Sequence, residues 1–329
     1  MNKPKNLTID DIAERLGVSK TTVSRAISGK GRISAATRER VMAYIQETHY
    51  RPSAAAKGLA ESKTYNLALL VPRSLFKLDM PFIRRSMTAI CEEAFLQDYN
   101  ILLCLSTDDN PASLLRTLDN RKVDGVILSR TVENDPVVQV LCDRGIPFAT
   151  MGSLPPSFKG KATVEADHDQ VGGCSAFTAA FLRGERSAVG VLGNDLSYIV
   201  NQSRLQGVKD GVALLDLPEE QVHLHNGIGS MESCRSAVED LLKKDVHRFI
   251  AMDDEVCRKL LTCLQEKGLR VPEDVRVGSL YDSDALHQVP ALSFDAAELG
   301  RVTCRELLHY LRDEEYIARP TLGYRIMKR

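Results

Sequence analysis

The sequence contains no tryptophan and few aromatic residues, and features that mark several common protein classes are absent. Phe, Tyr and Trp together make up 5% of the 329 residues. No apolar run reaches the ~18 residues of a membrane helix, and the polar N-terminus lacks the apolar core of a signal peptide. We therefore expect a cytoplasmic protein that does not contact a membrane.

The eight cysteines are spread through apolar segments, and no two of them form a C-x-x-C pair. This pattern is typical of reduced, buried thiols in a cytosolic protein rather than of a disulfide framework or a zinc site. The chain also lacks a P-loop, a G-x-G-x-x-G fingerprint and a G-x-S-x-G elbow. We therefore expect no enzymatic activity, no cofactor and no metal ion.

The net charge is small for the whole chain but unevenly distributed. The chain carries a formal charge of −1 at pH 7. Residues 1–62 hold 11 Lys and Arg against 6 Asp and Glu, a net charge of +5, whereas the remainder holds 32 against 38, a net charge of −6. A basic N-terminal segment on an acidic body confines attraction for phosphate groups to one end of the chain.

The N-terminal segment predicts two short helices joined by a glycine turn. Thr8 can cap the first helix, and Gly17 can end it in the left-handed conformation. Ser19 can cap the second helix, whose apolar side begins at Val23. The other side of the second helix carries hydrogen-bond donors and no acid, namely Lys20, Thr21, Thr22, Ser24 and Arg25. A capped helix with such a surface suits the major groove of DNA.

A third capped helix and a proline-terminated segment follow. Ser34 can cap a helix over residues 34–45, and Pro52 stops it. The run LTIDDIAERLGVSKTTVSRAISGKGRISAATRERVMAYIQETHYRPSAAAKGLA, residues 7–60, resembles the headpiece and hinge of the lactose/galactose repressor family. The alternative is a pair of ordinary amphipathic helices in a small bundle.

The resemblance implies roles for individual residues of the headpiece. At the positions of Lys20, Thr21 and Arg25, family members reach base edges, and Lys and Arg suit the O6 and N7 acceptors of guanine. Short hydroxyl side chains and helix N-termini contact phosphates. The expected DNA-binding residues are Thr8, Ser19, Lys20, Thr21, Thr22, Ser24, Arg25, Ser34, Thr37, Ala56, Lys57 and Leu59.

The resemblance also implies that residues 51–63 form a hinge, which becomes helical on operator DNA. Leu59 matches a leucine that enters a base step of the minor groove, and Ala56 matches the small residue one turn earlier. Gly58 within this segment should cost ~1 kcal/mol of helix stability relative to alanine. A plain flexible linker is the alternative.

After residue 64, short apolar strands alternate with helices. Strands are expected at 65–71, 99–105, 125–129 and 147–151, and a second round begins with a strand at 162–166. Strict alternation indicates parallel sheets covered by helices on both faces. The expected fold class is α/β, with a helix-turn-helix headpiece and two doubly wound parallel-sheet subdomains of periplasmic-binding-protein type.

The domain boundaries follow from these changes of pattern. The expected units are a headpiece over 1–50, a hinge over 51–63 and an effector-binding and dimerisation domain over 64–329. Its N-subdomain is expected at about 64–163 and 293–315, and its C-subdomain at about 164–292 and 316–329. The resemblance implies three crossovers between the subdomains, near residues 151–164, 290–295 and 312–322.

Polar residues near strand ends are expected to line a cleft between the two sheets, because ligands of such folds bind at the carboxyl ends of strands. Asp167 and Asp253 are expected to follow strands of the second sheet, and Arg204 to start a helix after another. The resemblance implies that these three bind ligand hydroxyls, a role that suits carboxylates and a guanidinium. The expected effector-binding residues are Arg73, Ser74, Ser129, Asp167, Arg204, Asp253 and Asp282, with Arg130 beside them.

The chain departs from the family at the cleft. The segment Gly278-Ser279-Leu280-Tyr281-Asp282 stands where family members have GYDD, so the sugar-binding Asp of the family is either displaced, to Asp282, or absent. No tryptophan is present to stack on a sugar ring. Three arginines, Arg73, Arg130 and Arg204, are compatible with an anionic effector as well as with a neutral one.

The sequence therefore predicts a homodimeric transcriptional regulator that binds a palindromic operator and responds to a small polar effector. Repression is the favoured mode of regulation. A sugar or sugar derivative is the leading class of effector. Two headpieces on a twofold axis are needed to read a palindrome tightly. The alternative is a solute-binding protein or a cleft enzyme with an unrelated N-terminal helical bundle.

Overall fold

Two units of very different size make up the chain, Met1–Thr64 and Tyr65–Arg329. The structure is a computed structural model. It describes the following residues: 7–29, 31–48, 50, 58, 61–73, 81–106, 111–184, 187–283 and 286–328.

The described part of the smaller unit contains three helices around a small apolar core. These are α1 (Ile9–Leu16), α2 (Lys20–Ser28) and α3 (Ala35–Glu47). Ile12, Val23 and Val41, one from each helix, are fully buried against one another. The apolar faces expected from the helical spacing are therefore confirmed.

Local hydrogen bonds fix the ends of these helices as the sequence predicts. The Thr8 hydroxyl accepts from the Asp11 N–H at 3.2 Å, and the Thr8 N–H donates to the Asp11 carboxylate at 2.8 Å. Gly17 ends α1 at φ +65°, a conformation that glycine adopts without steric penalty. The Ser19 hydroxyl accepts from the Thr22 N–H at 3.1 Å and caps α2.

The first sheet of the larger unit has helices on both faces. Its described strands are β1 (Asn66–Pro72), β2 (Asn100–Ser106), β3 (Gly125–Leu128), β4 (Phe148–Met151), β5 (Val164–His168) and β11 (Thr321–Leu322), in the order β11-β5-β4-β3-β1-β2. The helices packed on it are α4 (Pro81–Leu96), α5 (Ala112–Asp119), α6 (Pro136–Asp143) and α11 (Ala296–Leu311).

The second sheet repeats this architecture. Its described strands are β6 (Val189–Leu192), β7 (Val222–His225), β8 (Arg248–Ala251), β9 (Arg276–Ser279), β10 (Ala291–Ser293) and β12 (Arg325–Met327), in the order β12-β10-β9-β8-β6-β7. The helices packed on it are α7 (Gln170–Leu182), α8 (Ile199–Ala213), α9 (Met231–Lys243) and α10 (Asp254–Glu266). Single 3-10 turns lie at Pro156–Phe158 and Glu219–Gln221.

Both sheets are dominated by parallel pairs, as the alternating pattern predicts. In β1, Leu67 pairs with Ile101 on one side and with Gly125 on the other, both in parallel. The run Leu67–Val71 is buried throughout, which is typical of a strand covered on both faces. Only β12 runs antiparallel to its neighbour among the strand pairs that the structure describes.

The strand expected at 162–166 was assigned to the wrong sheet. The observed strand, β5, pairs in parallel with β4, with Val164 opposite Ala149, so it belongs to the first sheet. The connection contains a single 3-10 turn rather than a full crossover helix, and the Gly152 N–H donates to the Ala166 carbonyl at 2.7 Å. A pattern of apolar residues does not distinguish a fifth strand of one sheet from the first strand of another.

Two of the three expected crossovers lie elsewhere as a consequence. The first follows His168, because β5 belongs to the first sheet and α7 packs on the second. The third follows Leu322, because β11 pairs with β5 whereas β12 pairs with β10. The crossover near 290–295 is confirmed, since β10 lies in the second sheet and α11 packs on the first. The domain boundaries themselves stay predictions.

The cysteines are free thiols, and six of them are buried as expected. Cys91 is exposed and Cys142 is partly exposed. Cys91 lies on the outer side of α4, where the sequence wrongly predicts burial.

Candidate functional sites

The outer face of α2 consists of donor side chains in solvent. Lys20, Thr21, Ser24 and Arg25 are exposed, whereas Val23 on the opposite side is fully buried. The amphipathic pattern of this helix therefore places every strongly basic side chain of α2 away from the core. Such a face can meet both base edges and phosphates.

Lys20 has a neighbour that the sequence analysis missed. Its Nζ lies 2.5 Å from Oδ1 of Asp10, which belongs to α1. Both side chains are more than half exposed, and exposed ion pairs contribute only about 0 to 1 kcal/mol. This pair therefore presents a small barrier to a competing acceptor on DNA.

Arg25 depends on a glycine in the loop after α2. Gly31 has φ +90°, and a Cβ at this position would approach Cδ and Nε of Arg25 to 3.0 Å. A larger residue would therefore be strained and would push the Arg25 side chain. The sequence offered a weak signal, because Gly31 follows Gly29 at the end of α2.

The hydroxyl groups expected to meet phosphates lie at helix N-termini. The Ser19 and Thr22 hydroxyl oxygens are 2.9 Å apart, and those of Ser34 and Thr37 are 2.7 Å apart. Thr8 occupies the corresponding position on α1. Each pair sits at the N-terminus of a helix, an end that also attracts anions. The three hinge candidates Ala56, Lys57 and Leu59 lie outside the described residues.

A cavity of about 410 Å³ lies between the two sheets of the larger unit. Four of the seven expected effector residues line it, namely Ser129, Asp167, Arg204 and Asp253. Arg130 lines it as well. Arg73 and Asp282 are not among the lining residues that the structure describes, and Ser74 lies outside the described residues.

Asp253 links the segments that follow two strands of the second sheet, and it does so at the cavity. It follows β8 and caps α10, accepting from the Val256 N–H at 2.8 Å. Its other carboxylate oxygen accepts from the amide of Asn194, which follows β6, at 2.6 Å. Its position after a strand of the second sheet is confirmed, and Asn194 is a lining residue that the sequence analysis missed.

The positions expected for Asp167 and Arg204 need correction. Asp167 lies within β5 of the first sheet rather than after a strand of the second. Arg204 lies in the second turn of α8 rather than at its start, because the helix begins at Ile199. Both side chains still reach the same cavity.

Asp167 is a half-buried carboxyl group with two short hydrogen bonds. The Ser153 hydroxyl donates to it at 2.6 Å and the His168 N–H at 2.7 Å. Burial nevertheless raises the pKa of Asp167 above its ordinary value, because these donors only partly replace water. An incoming hydroxyl donor would stabilise its charged form.

Loops from the two sheets meet along one wall of the cavity. The Glu133 N–H donates to the Ser197 carbonyl at 3.0 Å, and the Ile199 N–H donates to the Thr131 carbonyl at 3.3 Å. The guanidinium carbon of Arg130 lies 3.4 Å from the centre of the Tyr198 ring. Burial lowers the pKa of Arg130, whereas Tyr198 and Asp195 act in the opposite direction. The structure thus links the two subdomains beside the ligand space.

Aromatic residues stand where the sequence departs from the family pattern. Tyr281 lines the cavity and contacts Phe82 edge to face, with ring centres 5.7 Å apart. The Asp282 N–H donates to the carbonyl of Leu292, a residue of the second sheet, at 2.7 Å. Asp282 is not among the described residues that line the cavity, contrary to the expectation from the sequence. Gln170 and Tyr198 also line the cavity, and no motif identified them.

Within the described ranges, no helix is long and apolar enough to cross a membrane. Over the same residues, no group of three or more His, Cys, Asp or Glu side chains is placed to hold a metal ion.

Comparison with known proteins matches both units. Residues 8–53 match bacterial regulatory proteins of the lacI family, and residues 179–329 match the periplasmic binding protein-like domain. Catabolite control protein A of Priestia megaterium is 26% identical over 318 residues, which is 94% of each chain.

Two solved structures extend the comparison. The transcriptional regulator CelR–cellobiose complex is 25% identical, with a TM-score of 0.70, over 98% of this chain and 99% of that one. The lac repressor dimer bound to operator and the anti-inducer ONPF has the same fold, with a TM-score of 0.78 and 19% identity over 99% and 98% of the two chains. The chain belongs to the lacI family of bacterial regulatory proteins and is a transcriptional regulator.

Proposed function

We propose that this regulator is a cytoplasmic repressor that binds a palindromic operator as a homodimer and is controlled by a sugar-like effector. One observation carries the DNA-binding proposal. The side of α2 opposite the buried Val23 exposes Lys20 and Arg25 with neutral donors between them and no acid of its own helix. This is the surface that a recognition helix presents to the major groove.

In this proposal, different headpiece groups have different tasks. Lys20 leaves its exposed partner Asp10 and, with Arg25, donates to guanine acceptors, while Thr21 contacts a thymine methyl group or a base edge. The capped N-termini of the three helices hold phosphates and set the position of α2. Leu59, with Ala56 and Lys57, is proposed to act in the minor groove.

Exposed apolar side chains support a homodimer. Phe95 and Leu96 at the end of α4 are 78% and 76% exposed. Leu103 and Leu105 are exposed on β2, an edge strand of the first sheet, and Leu224 is exposed on β7, an edge strand of the second. Unpaired apolar edges of this kind are typical of interfaces. Sedimentation of the full chain tests the proposal, and a monomer at micromolar concentration would contradict it.

The cavity supports a polar effector of modest size. Its volume of about 410 Å³ falls in the range of small-molecule sites. Carboxylates at Asp167 and Asp253 and guanidiniums at Arg130 and Arg204 offer acceptors and donors for hydroxyl groups. The related CelR, which was solved with cellobiose, makes a sugar the leading class.

Selection of binding sites from random DNA, followed by fluorescence anisotropy, tests the proposed operator recognition. We expect the chain to select a palindrome, with an affinity that falls as salt rises. Lys20→Ala and Arg25→Ala should relax the preference between sites, whereas Lys209→Ala, an exposed change on α8, should not. Absence of any preferred sequence, or full discrimination in both headpiece variants, would overturn the proposal.

A further inference from the structure

Three buried polar atoms on the wall of the cavity have no hydrogen-bond partner among the described residues. They are Ser129 Oγ, Gln170 Oε1 and Arg204 Nε. Ser129 is 4% exposed and Gln170 is 7% exposed, so water reaches neither side chain freely. A buried polar atom without a partner destabilises the folded chain, and natural structures contain few of them. Three such atoms facing one cavity therefore indicate where an absent ligand binds.

The packing of α7 against α8 brings Gln170 and Arg204 into the same region. A Cβ at Gly207 would lie 2.6 Å from the carbonyl oxygen of Val171, and one at Gly211 would lie 2.6 Å from that of Ser175. The two helices therefore run in the same direction where they touch, at a separation that only glycine permits.

Arg204 precedes Gly207 by about one turn, so it lies beside the first turn of α7, which Gln170 begins. Ser129 approaches from the other subdomain, because it directly follows β3 of the first sheet. The three atoms thus come from both sides of the cavity and from the segment that follows the first crossover.

The charged side chains around these atoms disfavour anionic ligands and cationic ligands alike. The acidic lining residues in the described part of the chain are Asp167, Asp195, Asp253, Asp254 and Glu255. Glu255 is paired with Lys259 at 2.6 Å, but the other four still outnumber Arg130 and Arg204. An anion would meet this excess of carboxylates, and a cation would meet two guanidiniums. A hydroxyl group both donates and accepts, so it can satisfy neighbours of either sign.

We propose that Gln170 is a specificity-determining residue of the effector site. Its Oε1 accepts a hydrogen bond from an uncharged hydroxyl group of the effector, while Arg204 Nε donates to an oxygen of the same ligand. The inference rests on the proposed effector function of the cavity and narrows the class to uncharged polyhydroxyl compounds. Phosphate esters, carboxylates and amines of the same sugars are excluded by this arrangement.

The experiment uses the full chain and a fixed set of probes. Glucose, galactose, ribose, maltose and cellobiose are compared with glucose 6-phosphate, glucuronate and glucosamine by thermal shift. Every probe that raises the melting temperature is then titrated calorimetrically into the parent, Gln170→Leu and Gln206→Leu. Gln206 lies on α8, is exposed and donates to Asp210, so its replacement is a matched control outside the cavity.

We expect an uncharged sugar to bind the parent and its charged derivatives not to bind. Gln170→Leu should raise the dissociation constant by about tenfold or more, because the ligand donor is left unpaired in a buried site. Gln206→Leu should change it less than about twofold. Without ligand, Gln170→Leu should melt no lower than the parent, since it removes an unpaired buried oxygen. A residue needed only for folding would lower this temperature.

Three results would overturn the inference. These are preferential binding of a charged probe, undiminished affinity in Gln170→Leu, and no response to any uncharged probe. Should Gln170→Leu fail to fold, Ser129→Ala replaces it, because it removes another unpartnered atom with little change of volume. Operator binding is measured in parallel, so loss of sequence-specific DNA binding, which contradicts the proposed function, is distinguishable from failure at Gln170.

Discussion

Lowering the pH should weaken the fold through a single buried histidine, His168. This residue ends β5, immediately before the first crossover, and is 3% exposed. Its Nε2 lies 3.2 Å from the carbonyl oxygen of Asp295, at the second crossover, and its ring centre lies 4.9 Å from that of Phe294. The neutral ring can donate from Nε2 to Asp295, which leaves Nδ1 unprotonated. Nδ1 is buried and has no partner in the described part of the chain, so protonating it there is unfavourable.

The magnitude follows from the shift in pKa. Burial lowers the pKa of His168 from 6.5 to about 4, and the charge of Arg204 acts in the same direction. Between these two values the unfolded chain binds a proton that the folded chain does not. Stability therefore falls as pH drops through 6.5 and levels off below about 4. At 1.36 kcal/mol for each pKa unit, this single group accounts for roughly 3 kcal/mol of unfolding free energy.

Urea unfolding followed by circular dichroism at pH 7.5, 6.5, 5.5 and 4.5 measures this effect. The comparison is with His168→Gln, whose amide can still donate to the Asp295 carbonyl but does not titrate. Burial raises the pKa of Asp167 and Asp254, which opposes the histidine, and both carboxyl groups are present in both proteins. The parent should lose most of the 3 kcal/mol relative to the variant by pH 4.5. A stability difference that stays constant across this range would refute the reasoning.

Three further predictions concern the effector site, helix packing and the hinge. Arg204→Ala should abolish the thermal shift caused by any sugar that stabilises the parent, through a loss of about 2 kcal/mol or more of binding free energy. Operator binding should persist in this variant. Retained affinity for the sugar would place the effector site elsewhere. Gly207→Ala should lower the melting temperature, because its Cβ would lie 2.5 Å from that of Cys174. Gly193→Ala is the control and should lower the melting temperature less, because its Cβ would meet the flexible Met252 side chain. Equal decreases in the two variants would contradict the helix-packing argument. Leu59→Ala should reduce operator affinity without altering the melting temperature of the larger unit, and unchanged affinity in an anisotropy titration would remove the hinge proposal.

The helices of the headpiece could be predicted because the forces that define them are local. A capping hydroxyl acts within three residues, as Thr8 and Ser34 do, and Gly17 ends its helix by its own backbone conformation. The ion pair between Lys20 and Asp10 could not be predicted, because it depends on the angle between two helices. Local rules thus predicted the surface of α2 but not the neighbour that modifies it.

Sheet membership could not be predicted from local patterns. The alternation of buried and half-buried residues in β5 does not specify a sheet, and the pairing of Val164 with Ala149 is a tertiary choice. The consequence reached the candidate site, because Asp167 moved from the second sheet to the first. Its place in the cavity was nonetheless correct, since parallel strands from both sheets direct their carboxyl ends to the same cleft.

The residues that the sequence analysis missed at the cavity share a physical reason. Rules about strand ends found Ser129, which directly follows β3, and Asp253, which lies just beyond the end of β8. Gln170 begins a helix and Tyr198 precedes one, and neither belongs to a motif. What distinguishes Gln170 is that its buried oxygen has no partner within the described ranges, a property that appears only once neighbouring side chains are placed.

The unpaired atoms also suggest how ligand binding is coupled to the arrangement of the two subdomains. Ser129 belongs to the first sheet, Arg204 to a helix on the second, and Gln170 to the segment just after the crossover. A ligand that pairs with all three favours the observed arrangement, in which they face one cavity, over any arrangement that separates them. The backbone bonds between Thr131 and Ile199 and between Glu133 and Ser197 already favour this arrangement without ligand. The ligand therefore adds to an existing preference, and the size of its effect is set by the atoms that the protein itself leaves unpaired.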